Sequence, residues 1–168
     1  MEGACWGIES FRDSLIVGFH SPTPRVEILS EEGAVLNTFN TSGGLLFKWP
    51  YYITVDKTAE TTRILVSDHG KKTVYMLDDG LQLLQAFQLP SDGVPRGLAA
   101  VGGGQVLVVD MVTSTLQLLD LTAGQWRKLL GKEDGLKRPY SLVYNQAIKQ
   151  LYIGGHRRGE FKEYTVSE

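Results

Sequence analysis

The three histidines of the chain, His20, His69 and His156, stand three residues beyond three short apolar runs, Leu15-Ile16-Val17, Ile64-Leu65-Val66 and Leu151-Tyr152-Ile153. A fourth run, Val106-Leu107-Val108, has Met111 at the same place. Imidazoles that converged on one point could bind zinc, which holds neutral nitrogens at about 2.1 Å. Equivalent points on neighbouring sheets lie roughly 10 Å apart, so a histidine-lined recognition surface is the competing reading of His20, His69 and His156. Ser67, Asp68 and His69 are the residue types of a nucleophilic relay, but they are consecutive. Neighbours in an extended segment point in alternating directions, so these three do not form one. Cys5 has no histidine close by in sequence, and Gly102-Gly103-Gly104 reads as a hairpin turn without the following helix that a phosphate loop needs. The residues thus argue against catalysis by this chain.

The runs that carry the histidines recur at about 45 residues. After each comes a polar turn and a segment of alternating character: Arg25-Val26-Glu27-Ile28-Leu29, Thr73-Val74-Tyr75-Met76-Leu77, Thr115-Leu116-Gln117-Leu118-Leu119 and Glu160-Phe161-Lys162-Glu163-Tyr164. Alternation with a period of two is the mark of a half-buried strand. A further strand precedes each apolar run, around 6–9, 51–55, 96–100 and 140–144, and three copies carry a last strand at 35–39, 83–87 and 126–129. Four short strands per repeat predict an all-β protein, a β-propeller of about four blades of four antiparallel strands. The whole chain, 1–168, reads as one propeller domain with blades at 6–47, 48–94, 95–138 and 139–168. The last blade is incomplete, and the arrangement suits part of a six-bladed ring whose open edges invite self-association. Val74, Met76, Leu116, Leu118 and Phe161 are expected between blades, with Leu83, Leu84, Phe87 and Trp126 on the outer rims. Asp68 and Asp110 are expected to accept donors of the turns that follow them, each worth about 1 kcal/mol.

Composition narrows the function. Seventeen Lys and Arg against nineteen Asp and Glu give a net charge of −2, which argues against a globally basic nucleic-acid binder. A single cysteine excludes an internal disulfide and fits a reducing compartment. No apolar stretch reaches membrane-spanning length and no signal pattern precedes Trp6, so the expected location is the cytoplasm, with no membrane partner.

Pro50-Tyr51-Tyr52-Ile53-Thr54-Val55-Asp56, Ile64-Leu65-Val66-Ser67-Asp68 and Thr73-Val74-Tyr75-Met76-Leu77-Asp78 together resemble an NHL repeat, with a proline-led first strand and an aspartate-ended second. Pro95-Arg96-Gly97-Leu98, Val106-Leu107-Val108-Val109-Asp110 and Leu116-Gln117-Leu118-Leu119-Asp120 repeat that order. The last copy keeps Pro139-Tyr140-Ser141-Leu142 but has Gly154-Gly155 in place of the aspartate, and the first has Gly18-Phe19. Among NHL-like proteins the chain most resembles the C-terminal region of tripartite-motif (TRIM-NHL-like) ubiquitin ligases. That resemblance implies a substrate-selecting module, whose ligase activity would reside in zinc-binding domains that one cysteine cannot build. The same superfamily includes a secreted lyase that uses propeller histidines for metal, so a remnant of a metal-dependent lyase or lactonase is a further alternative. A hard cation would need carboxylates at the inner strand starts, and those are Trp6, Tyr51, Arg96 and Tyr140. No cofactor is expected.

In a propeller the loops between blades and those between second and third strands emerge on one face. That face receives Lys48, Trp49, Tyr51, His69, Lys71, Lys72, Arg96, Lys137, Arg138, Tyr140, His156, Arg157 and Arg158, eight of the seventeen Lys and Arg. The opposite face receives Asp56, Lys57, Glu60, Asp78, Asp79 and the Glu31-Glu32 pair. Basic groups interleaved with rings suit a protein partner, and they also suit single-stranded or structured RNA.

Overall fold

The structure, a computed structural model, describes residues 3–39, 46–58, 61–90, 92–157 and 160–165. Short alternating segments joined by tight turns fold into four antiparallel sheets, each a meander of sequential strands. Blade 1 holds β1 (Ala4–Phe11), β2 (Ser14–Ser21), β3 (Arg25–Ser30) and β4 (Val35–Thr38). Blade 2 holds β5 (Pro50–Lys57), β6 (Thr62–Asp68), β7 (Thr73–Leu77) and β8 (Leu83–Gln88). Blade 3 holds β9 (Pro95–Gly102), β10 (Gln105–Asp110), β11 (Thr115–Asp120) and β12 (Gln125–Leu130). Blade 4 has three strands among the described residues, β13 (Pro139–Asn145), β14 (Gln150–Gly155) and β15 (Phe161–Thr165). One 3-10 turn, Lys132–Asp134, precedes β13. This is a β-propeller, with the first strand of each blade innermost: β1 packs beside β5, β5 beside β9 and β9 beside β13.

The second strands of blades 1 to 3 are continuous apolar runs because both their faces are covered. β6 sends Ile64 and Val66 into the core between blades 1 and 2, with Ile16, Val26, Ile28 and Phe47, and Leu65 into the core between blades 2 and 3. β10 does the same one blade on: Val106 and Val108 face blade 2, whereas Leu107 and Val109 pack with Leu136, Leu142 and Ile153 of the blade 4 side. Each fully buried aliphatic side chain contributes about 1.5–3 kcal/mol, so these cores, repeated from gap to gap, hold the blades together. Val74 and Met76 lie in the second core, and Leu116 and Leu118 in the third, as expected. Phe161 does not: it is 61% exposed and stacks on Tyr152, because β15 is the outermost described strand of its blade. Phe87 is buried in the second core rather than on a rim, while Leu83 and Leu84 are exposed.

Asp68 and Asp110 do more than close their own turns. Asp68 accepts the Lys71 amide at 2.9 Å and also the amides of Lys48 and Trp49 at 2.6 and 3.1 Å. Asp110 accepts Val112, Thr113 and, across the linker, Val94 at 3.0 Å. Both carboxylates are buried. Each ties the linker entering its blade to the end of the second strand, so the expectation of a purely local turn bond understates them. Blade 4 has Gly155 at this position and blade 1 has Phe19. Close approach of the inner strands also needs glycine: a Cβ on Gly97 would lie 2.7 Å from the Leu142 nitrogen, and one on Gly7 would lie 2.7 Å from the Tyr51 oxygen.

Candidate recognition site on the propeller axis

Every inner strand is irregular at the same point. The pairing register slips at Trp6, at Tyr51, across Arg96 and Gly97, and at Tyr140. A bulge re-aims the side chain it carries, and here it turns one residue per blade toward the axis. Trp6 meets Tyr51 edge-on, with ring centroids 3.8 Å apart. The Arg96 guanidinium carbon lies 4.0 Å from the Tyr51 ring centre and 4.7 Å from that of Tyr140. Tyr52 meets Tyr140 edge-on at 6.1 Å.

A second shell of rings backs the first. His20 lies 4.9 Å from Trp6, His69 lies 5.4 Å from Tyr51, and His156 lies 5.5 Å from Tyr140. The backbone accounts for this: the amides of His69, Met111 and His156 donate to the carbonyls of Trp49, Val94 and Arg138, pinning this repeat position beneath the linker that enters each inner strand. The histidines thus serve three different rings instead of a common point. Among the described residues no group of three or more His, Cys, Asp or Glu is placed to hold a metal ion.

Electrostatics sets Arg96 apart. It is 6% exposed, and neither Nε nor Nη1 has a hydrogen-bond partner. Among the described residues no carboxylate forms an ion pair with it; Asp68, on the neighbouring blade, is engaged by three backbone amides. The cation therefore rests on two ring faces alone, an attraction worth roughly 2 kcal/mol when desolvated. Burial, then the positive charge of Arg96, hold His69 below its ordinary pKa against the pull of Asp68, and His69 Nδ1 is also without a partner. Burial, then neighbouring Tyr140, push Tyr52 up to about 12 against the effect of Arg96, so both groups are neutral at pH 7.

Around this centre lie the rim residues. Trp49 is 43% exposed, packs against His69 and carries the Lys48 ammonium at 5.2 Å. Lys72 pairs with Asp92 at 3.1 Å, in the open. Lys71, Lys137, Arg138, His156 and Arg157 are exposed, and Arg158 lies outside the described residues. Arg96 differs from the expected solvated rim charge: it is a buried axial cation. Trp6, which stands outside the expected basic face, occupies the same repeat position as Tyr51, and His20 that of His69.

The other mouth of the channel is lined by Glu9, Ser10, Asp56, Lys57, Gly102 and Gln146, around a cavity of about 270 Å³. Asp56 is buried there, its Oδ2 unpartnered. Burial raises its pKa against the opposing effect of Arg63, its cross-strand neighbour. Glu60 lies outside the described residues.

No protein-family model matches this sequence, and no curated protein matches it. Solved structures do. U3-55K superposes with a TM-score of 0.76 at 12% identity, over 99% of this chain and 50% of that one. The Cps50 (Swd1) β-propeller domain of Myceliophteria thermophila gives 0.70 at 15% identity, over 97% and 54%. Virginiamycin B lyase from Staphylococcus aureus gives 0.69 at 13%, over 96% and 55%. The chain spans about half the length of each of these three. Among the described residues no helix is long and apolar enough to cross a membrane. At these identities the likeness establishes the fold, a β-propeller, and nothing finer.

Proposed function

We propose that this propeller is a non-catalytic recognition module that binds a protein partner on the face where Trp6, Tyr51, Arg96 and Tyr140 meet. The observation that carries this reading is the half-exposed ring of aromatic side chains at the centre of that face, bordered by Trp49 and by exposed cations. Aromatic residues and arginine are the types that dominate binding energy at protein interfaces, because large rigid area is immobilised at small entropic cost. In its finer form, which rests on the NHL-like residues, the module is the substrate-selecting end of a tripartite-motif ubiquitin ligase in the cytoplasm. Affinity capture from a nuclease-treated native extract tests it: a partner retained by the wild type should be lost with a Trp49→Ala/Arg157→Ala pair and kept with Glu9→Ala/Lys57→Ala on the other mouth. Retention by both variants, or by neither, would overturn the assignment of the face.

A second reading has an observation of its own. Lys71, Lys137, Arg138 and Arg157 are exposed, in the same linkers and second-to-third strand turns that carry Trp49 and His156, an interleaving that suits single-stranded RNA. Binding to a random single-stranded RNA pool that weakens steeply with salt and disappears in a Lys71→Ala/Arg157→Ala variant would favour it.

A further inference from the structure

Arg96 is the one buried cation in the described residues that the fold leaves without an acceptor. Burying a charge without a partner is expensive, and a chain that needed only a ring-filling side chain there could use methionine or leucine at lower cost. The rings of Tyr51 and Tyr140 hold the guanidinium at the axis, with Nε and Nη1 buried and unpartnered. From this geometry, and resting on the recognition reading above, we infer that Arg96 is the anchor for a carboxylate carried by an acidic side chain of the partner polypeptide, which approaches it beside Trp6, Tyr51 and Tyr140.

Charge matching selects the carboxylate over a phosphate. Arg96 is the one buried cation among the described residues: His69 beside it is held below its ordinary pKa by burial and by Arg96 itself, and Lys72 is paired with Asp92 at the rim. One guanidinium balances one carboxylate in a planar, charge-assisted pair, whereas a phosphate monoester near neutral pH carries about −1.5 to −2. Nucleic-acid backbones are also met by long exposed cations rather than by a buried arginine between aromatic rings. The tyrosine faces exclude water, which strengthens the pair once formed.

The test uses the full chain and three probes: acetate, inorganic phosphate and a displayed library of random heptapeptides. Acetate should shift the Arg96 Nε–H resonance saturably, and phosphate should need a higher concentration at equal ionic strength. Selected peptides should contain Asp or Glu and lose at least tenfold in affinity for Arg96→Met. That variant should melt at or above the wild-type temperature, since it removes an uncompensated buried charge; a lower melting temperature with undiminished peptide binding would make Arg96 a structural prop and overturn the proposal. So would an Arg96 resonance indifferent to acetate, or one that responds to phosphate at a tenth of the acetate concentration and is competed by single-stranded RNA. Peptides that bind Arg96→Met as tightly as wild type would remove the anchor and leave the recognition reading standing. A library that yields no binder would remove that reading and the anchor with it.

Discussion

Replacing Asp110 with alanine should destabilise the propeller far more than the loss of one turn bond. Its Oδ1 accepts the amides of Val112 at 2.9 Å, Val94 at 3.0 Å and Thr113 at 3.2 Å, and its Oδ2 accepts the Thr113 hydroxyl at 2.6 Å. A Cβ on Gly93 would lie 2.0 Å from Oδ2, so the linker is folded directly over the carboxylate. Hydrogen bonds to a charged group contribute about 1.5–3 kcal/mol each, and stranding a buried donor costs about 1–3 kcal/mol. The Val94 amide is buried and stays orphaned in the variant, whereas the Val112 and Thr113 donors can turn to water. A loss of about 3–5 kcal/mol follows, which lowers the melting temperature by roughly 10 °C in a domain of this size. Asp68→Ala should behave alike, for the same linker geometry. Asp120 is the internal control: its Oδ1 accepts only Thr122 and Ala123 in an exposed turn, so Asp120→Ala should cost about 1 kcal/mol. Urea unfolding with an unchanged m-value, read beside calorimetry, would isolate the effect. If Asp110→Ala and Asp120→Ala unfolded within about 1 °C of each other, the carboxylate would not be an inter-blade staple and the reasoning would fail.

Three further outcomes follow, two of them from the inner strands. Gly97→Ala would place Cβ against the Leu142 nitrogen and the Ser141 Cα, at 2.7 and 2.9 Å; these are backbone atoms, so blades 3 and 4 must part at a cost of about 1–3 kcal/mol. Gly80→Ala, in an open turn with only the Asp78 carboxylate at 3.4 Å, should be near neutral by the same melting assay. Asp56→Asn should raise stability at neutral pH. The folded pKa of Asp56 is raised by burial, so its favourable contribution is complete below the unfolded carboxylate range and is lost as pH rises through the folded value. The variant and the wild type should therefore converge in acid and separate above it, and a constant difference across pH would contradict the buried, unpaired carboxylate.

The repeat itself is readable because the second strands of blades 1 to 3 are buried on two faces and so appear as uninterrupted apolar runs, while their neighbours alternate. The axial position was also visible, as Trp6, Tyr51, Arg96 and Tyr140 in register. What the alternation could not supply was where those side chains point, since the bulges at that position break the period-of-two rule on which facing is argued. Arg96 therefore read as one more loop cation, and its burial between Tyr51 and Tyr140 emerges only from the packing of three blades. Trp6 stands outside the expected basic face for the same reason, although its blade 2 counterpart, Tyr51, belongs to it. Phe161 shows the opposite error. Its alternating segment predicts an inward ring, but the described blade ends at β15 and its neighbours leave that ring in the open.

The central claim is that recognition takes place on the face bearing the axial aromatic ring. A photo-crosslinking amino acid placed at Trp49 on that rim, and separately at Lys57 on the opposite mouth, reads the claim directly in a native extract. Capture of a discrete protein from position 49, absent from position 57 and lost when Tyr140→Ala is added, is the predicted result. Crosslinking from position 57 alone, or capture from position 49 that Tyr140→Ala leaves intact, would contradict it.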